Sequence, residues 1–257
     1  MLRLIWLAFA AVASTLPLSF STLVVATVRS TSPLIDWIMH VWAKSIVAAA
    51  GIDLRTENLE RIERGKRYIL IANHYSYLDI PCIVAAVPSQ PVRFMAKVSL
   101  FKIPIFGWSL GRAGFIPIDR KNRRTAVQSL NLAADRMRKG NTIVIFPEEG
   151  RSRERMMRPF QRGAFLLALK SEKTIIPMAI DSTFDVWPAG TWRVKPGRVT
   201  IRIGTPIETA GLSLRDKATL LQNAQGQIEE MLFGTRKSGA GSQADGDSGG
   251  KALTPDS

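Results

Sequence analysis

The stretch Tyr68-Ile69-Leu70-Ile71-Ala72-Asn73-His74-Tyr75-Ser76-Tyr77-Leu78-Asp79 decides how this chain is read. Its opening apolar run predicts a strand ending at Ala72. A helix starting near Asp79 would then bring the carboxylate back to the imidazole of His74 one turn later. A carboxylate on one ring nitrogen fixes the tautomer and stabilises the imidazolium, leaving the other nitrogen free to take a proton. That combination is a general base working near neutral pH. The chain has two histidines. The other, His40, recurs with Asp36 and Lys44 at four-residue spacing, which reads as a polar stripe on a helix surface.

A second strand, Asn141–Pro147, runs into Glu148-Glu149-Gly150-Arg151-Ser152-Arg153, where arginine forks suited to phosphate oxygens stand beside carboxylates. A third, Gly114–Ile118, ends in Asp119-Arg120-Lys121. Lys121, Arg123 and Arg124 read equally well as the solvated start of the next helix. Strands are expected near 67–72, 92–96, 114–118, 142–147, 175–180 and 198–203. Helices are expected over 125–139, with Val127, Leu130, Ala134 and Met137 facing the core, and over 160–170 and 212–233. The expected fold class is α/β: a mostly parallel central sheet flanked by helices, with charged groups delivered at the carboxyl edge, and N-terminal membrane-associated helices. The long connection 181–197 holds Trp187 and Trp192, and a loop of this length with aromatic residues would suit a lid or a substrate wall.

Four blocks in order, His74-x4-Asp79, Gly114-Phe115-Ile116 through Asp119-Arg120, Phe146-Pro147-Glu148 through Arg151-Ser152, and Ile176-Pro177-Met178-Ala179-Ile180, resemble the glycerolipid acyltransferases. Specifically, the chain resembles the 1-acyl-sn-glycerol-3-phosphate acyltransferases, over roughly Arg55 to Ile207. The resemblance implies an enzyme in which His74 is the base and Asp79 its orienting partner. Arg120 and Arg151 would hold the acceptor's phosphate, Glu148 would shape that site, and Lys97 is a further candidate for the same pocket. It also implies transfer of an acyl group from a thioester carrier, acyl-CoA or acyl carrier protein, to the free hydroxyl of a lysolipid, giving phosphatidic acid. The acceptor brings its own hydroxyl, so no protein nucleophile is needed. One departure stands out: Glu149 and Gly150 occupy positions where the family carries Gly and Thr. Since an added carboxylate beside a phosphate seat bears on head-group choice, another lysolipid acceptor, such as a lyso-aminolipid, stays open, as does a lipid-binding protein with a dead site.

Gly107-Trp108-Ser109-Leu110-Gly111 fits the nucleophile-elbow pattern of hydrolases, but that elbow needs a strand before it and a histidine after it. Both histidines precede Ser109 and Pro104 interrupts the approach, so a helix with a small face is expected instead. Cys82 is the only cysteine, in an apolar run, and reads as a buried inert thiol. With one candidate histidine and no second ligand nearby, no metal is expected; the resemblance implies no cofactor either, acyl-CoA or acyl carrier protein entering as the donor substrate.

A net charge of +14 calls for a polyanionic partner, nucleic acid or an anionic membrane. The uncharged run Leu4–Val28 favours the membrane, so no nucleic acid is expected. As a helix it would extend ~37 Å, against a hydrocarbon core of ~30 Å. Pro17 leaves a straight span, a kinked span and a re-entrant pair open, and Met1-Leu2-Arg3 followed by Ala11-Val12-Ala13 admits a cleaved signal. Basic residues follow the segment far more than they precede it, which predicts an inner (plasma) membrane protein with its body on the cytoplasmic face. Four regions are expected: a hydrophobic membrane helix over 1–30 and an amphipathic helix over 31–54, either lying in the interface or packed on the core; then an acyltransferase domain over 55–235 and a flexible Gly/Ser-rich tail over 236–257.

Overall fold

The computed structural model describes residues 1–119 and 123–234; Arg120 and the tail from 236 lie outside the described residues. A seven-stranded sheet carries the fold: β1 (Ile52–Glu57), β2 (Ile69–Ala72), β3 (Val92–Lys97), β4 (Ile116–Ile118), β5 (Thr142–Ile145), β6 (Ile175–Asp181) and β7 (Gly197–Ile203). Their spatial order is β1-β7-β6-β2-β5-β3-β4. All pairings are parallel except β6 with β7. The mostly parallel α/β architecture expected from the sequence is therefore present.

Alternation along the strands separates two apolar layers. In β2, Leu70 and Ala72 join the core on one face while Ile69 and Ile71 join that on the other. The first face is covered by α2 (Pro33–Ala49) and α3 (Asp79–Ala86), with α1 (Leu2–Val28) and α4 (Phe106–Ala113) beyond them. The second is covered by α5 (Arg123–Arg138), α6 (Gly163–Ser171) and the C-terminal helix Lys217–Glu229. A strand buried on both faces has no polar side to show, which is why β2 and β5 read as continuous apolar runs.

Two features differ from the sequence reading, and a third decides between alternatives it left open. Ile52–Glu57 is a strand, so helix α2 ends at Ala49 and the 54/55 boundary falls inside β1. Its burial alternates, with Ile52, Leu54 and Thr56 inward, as a half-buried edge strand requires. The stripe Asp36-His40 on α2 faces the protein: Asp36 Oδ1 accepts from Arg93 Nη1 at 2.7 Å, and His40 Nδ1 lies 3.2 Å from Val84 O. Helix α2 thus packs on the core, with Trp37 exposed and Trp42 turned inward, where its indole donates to Thr15 Oγ1 at 3.0 Å. In α5, Leu130, Ala133, Ala134 and Met137 are buried but Val127 is exposed, because the inward arc begins a turn later.

Candidate active site

Parallel neighbours β2 and β5 release their chains side by side at one edge of the sheet, and their loops meet there. Helix α3 starts at Asp79, and the intervening turn folds the carboxylate under the histidine. His74 Nδ1 and Asp79 Oδ2 are 2.7 Å apart. The same oxygen accepts from the N–H groups of Tyr75 at 2.7 Å and Ser76 at 2.8 Å. Asp79 is fully buried, so three donors on one oxygen hold the carboxylate and, through it, the ring. Phe146, at the end of β5, lies flat against the imidazole with ring centroids 4.0 Å apart. The face, one edge and the main chain of His74 are therefore fixed, while the ring keeps partial access to solvent.

Glu148 ties the two loops together. Its Oε1 accepts from His74 N–H at 2.7 Å and its Oε2 from Arg158 N–H at 2.8 Å. Ser152 N–H returns the stitch by donating to His74 O at 2.8 Å. Burial pushes the Glu148 carboxyl up to about 7, against the downward pull of the Arg158 and His74 N–H groups. Both oxygens are thus taken by main chain, which makes Glu148 a brace that shapes the site from behind. The guanidinium of Arg151 stacks on the Tyr77 ring, 3.4 Å from its centroid, and its buried Nη1 has no hydrogen-bond partner among the described residues. An oxyanion in the site would satisfy it.

His74, Arg151 and Lys97 line one cavity of about 600 Å³. Its walls are mostly apolar: Leu18 of α1, Ile38 and Trp42 of α2, Phe94 of β3 and Leu110 of α4. The Trp187–Trp192 connection does not line it; Trp187 instead packs on Tyr77 at 5.3 Å, and Trp192 is exposed. Ser109 sits within α4 and donates to Phe106 O at 2.7 Å, so it is a helix residue, and a short 3-10 turn over Val98–Lys102 stands between β3 and its helix. Of the residues singled out from sequence, the structure brings His74, Asp79, Glu148, Arg151 and Lys97 to one place, and Arg120 lies outside the described residues. Sequence reasoning missed Asn73, whose buried amide pairs with both main-chain groups of Ile180 at 2.7 and 2.9 Å and pins the end of β2 to β6. The strand-ending Asn before His74 was its only sequence signal.

A family model described as Acyltransferase matches residues 53–181, half of the chain. The chain belongs to the acyltransferase family. Among the relatives of this acyltransferase, a chloroplastic 1-acyl-sn-glycerol-3-phosphate acyltransferase of Brassica napus is 31% identical over 64% of this chain and 46% of its own length. A 1-acyl-sn-glycerol-3-phosphate acyltransferase of Saccharomyces cerevisiae is 33% identical over 71% and 60%. An uncharacterised acyltransferase of Schizosaccharomyces pombe is 34% identical over 72% and 68%. The acyltransferase chain spans about half the length of the curated relatives it matches. The crystal structure of a 1-acyl-sn-glycerophosphate acyltransferase from Thermotoga maritima superposes with a TM-score of 0.78, at 23% identity over 91% of this chain and 95% of that one, a likeness of fold.

Proposed function

We propose that this acyltransferase moves an acyl group from a thioester to the free hydroxyl of 1-acylglycerol-3-phosphate, giving phosphatidic acid. The observation that carries this reading is the braced His74–Asp79 pair at the wall of an apolar cavity that also holds Arg151 and Lys97. The acyl chain lies in the cavity and the acceptor's phosphate meets Arg151, with Arg120 and Lys97 as further cationic groups. The free nitrogen of His74 takes the acceptor's hydroxyl proton as that oxygen attacks the thioester carbonyl. The ester C–O bond forms, the C–S bond breaks, and the imidazolium returns its proton to the leaving thiolate. Asp79 stabilises the imidazolium in between. The donor is acyl-CoA or acyl carrier protein, and no cofactor takes part.

Helix α1 is long and apolar enough to cross a membrane, with only 11% of its apolar window buried, which supports membrane attachment. We place the body on the cytoplasmic face of the inner membrane, where the basic residues that follow α1 would lie. The test is acyl transfer by the detergent-purified full chain, using labelled oleoyl-CoA and lysophosphatidic acid, beside His74→Ala. Phosphatidic acid from the wild type and a loss of roughly 10²–10⁴ in the variant are expected. Equal rates in both would overturn the assignment of the base.

A further inference from the structure

A guanidinium that none of the sequence blocks announced stands beside the phosphate seat. Arg158 lies further along the loop that begins at Glu148, and its N–H is held by Glu148 Oε2. The other oxygen of that carboxylate holds the N–H of His74. One side chain therefore fixes the main chain of the base and the main chain of Arg158 relative to each other. The Arg158 side chain then folds back over the turn: a Cβ built on Gly150 would stand 2.8 Å from Arg158 Nη1. Any side chain at 150 would force the guanidinium to move. Gly150 and Arg151 line the same cavity as His74, and the Arg158 fork lies against Gly150 without itself lining that cavity. Arg158 is exposed and makes no side-chain hydrogen bond or ion pair with another side chain among the described residues, although its charge acts on Glu148. Gly150 is also where this chain departs from the family pattern, which carries Thr there. The departure exchanges a hydroxyl-bearing side chain for room that an arginine fills.

We propose that Arg158, admitted by Gly150, is a specificity-determining residue that binds the acceptor's phosphate together with Arg151. It rests on the reading of the acceptor as a lysolipid phosphate. Two guanidinium forks on one phosphate give bidentate recognition that a neutral head group cannot use. The same clamp would favour a phosphate monoester over an acceptor with a cationic head.

The test compares wild type, Arg158→Ala, Arg158→Lys, Gly150→Val and the Ala/Val double variant, all as full chains in detergent. KM and kcat are measured with lysophosphatidic acid and with the neutral 1-monoacylglycerol. Calorimetric titration with glycerol 3-phosphate reads phosphate binding apart from turnover. Arg158→Ala is expected to raise KM for lysophosphatidic acid by roughly ten- to hundredfold, the size of a lost charge-assisted hydrogen bond. Its kcat, and its KM for the neutral acceptor, should stay near wild type. Lysine should recover part of the loss. Gly150→Val should behave as Arg158→Ala, and the double variant should add little to either. An unchanged KM for lysophosphatidic acid in Arg158→Ala, or an equal rise on both acceptors, would overturn the proposal. Wild type that acylates neither acceptor would instead sink the proposed function. The titration would then decide for Arg158: weaker glycerol 3-phosphate binding in Arg158→Ala and in Gly150→Val supports it, and binding equal to wild type in these two refutes it.

Discussion

Glu148 shows how far a single residue could be read from sequence. Its neighbourhood to the arginines is visible in the string of residues; its partners are not, because both are main-chain N–H groups. A main-chain donor leaves no mark in a pattern of side chains. The same holds for Glu149, which adopts φ 55°, a left-handed conformation that favours glycine, at a position where the family pattern has glycine. By contrast, the His74–Asp79 contact was legible, since a helix start five residues after a strand end returns the carboxylate by geometry alone. The buried carboxyl of Glu148 also predicts a pH dependence. Its pKa rises from the usual 4.5 to about 7 on folding. Between those values the folded state holds a proton that the unfolded chain has released, so stability falls as pH rises through this window. Above about 7 both states are ionised and the slope ends. Wild type should therefore lose up to about 3 kcal/mol relative to Glu148→Gln between pH 4.5 and 7. Thermal melts of the two proteins across that range check it; parallel curves would show that the carboxyl is ionised throughout.

At the scale of elements, long periodic segments were legible and their neighbours were not. The strands that deliver His74 and Glu148 stood out because burial on both faces makes an unbroken apolar run. Strand β1 was hidden because its alternating Ile52, Leu54 and Thr56 follow directly on an amphipathic helix, and only Gly51, at φ 71°, marks the break. The polar stripe of α2 leaves an interfacial and a core-packed helix both open in the sequence, because periodicity identifies a face without saying what covers it. Here the covering group is Arg93 of β3, only 3% exposed and paired with Asp36. Its Nε has no hydrogen-bond partner among the described residues, so the pair is the main satisfaction this buried cation has. Asp36→Ala should then destabilise the protein by about 3–5 kcal/mol, because the charge stays buried without its counter-ion. Asp36→Leu with Arg93→Met should restore most of the loss, since apolar groups of similar volume remove the desolvation penalty too. Thermal melts in detergent distinguish the cases. A double variant no better than Asp36→Ala would mean that the pair positions α2 in a way that packing alone cannot replace.

For the whole molecule, the sequence separated an apolar N-terminus from a catalytic body, and the structure joins them. Helix α1 exposes Ile5, Phe9, Val12, Leu16, Phe20 and Val24 along one side. Its other side packs against α2 and α4, where Leu7, Ser19, Thr22 and Ala26 are buried. Leu18, Ser19 and Thr22 also line the cavity that reaches His74. A helix serving only as an anchor could be exchanged for any apolar helix of its length without effect on the chemistry. A helix that walls the acyl site could not, because its inner residues set the room for the chain. Ser19 is the sharpest probe: it is small, buried, and its outer neighbours keep the exposed apolar side intact. Ser19→Phe should leave vesicle binding at the wild-type level, because the exposed apolar surface is unchanged. It should lower transfer from long-chain thioesters while sparing short-chain ones, because the added ring occupies cavity volume that only the longer chain needs. Competition between labelled octanoyl and oleoyl donors reads this directly. An unchanged donor ratio with intact folding would move the proposed acyl chain out of this cavity and leave α1 no part in donor choice.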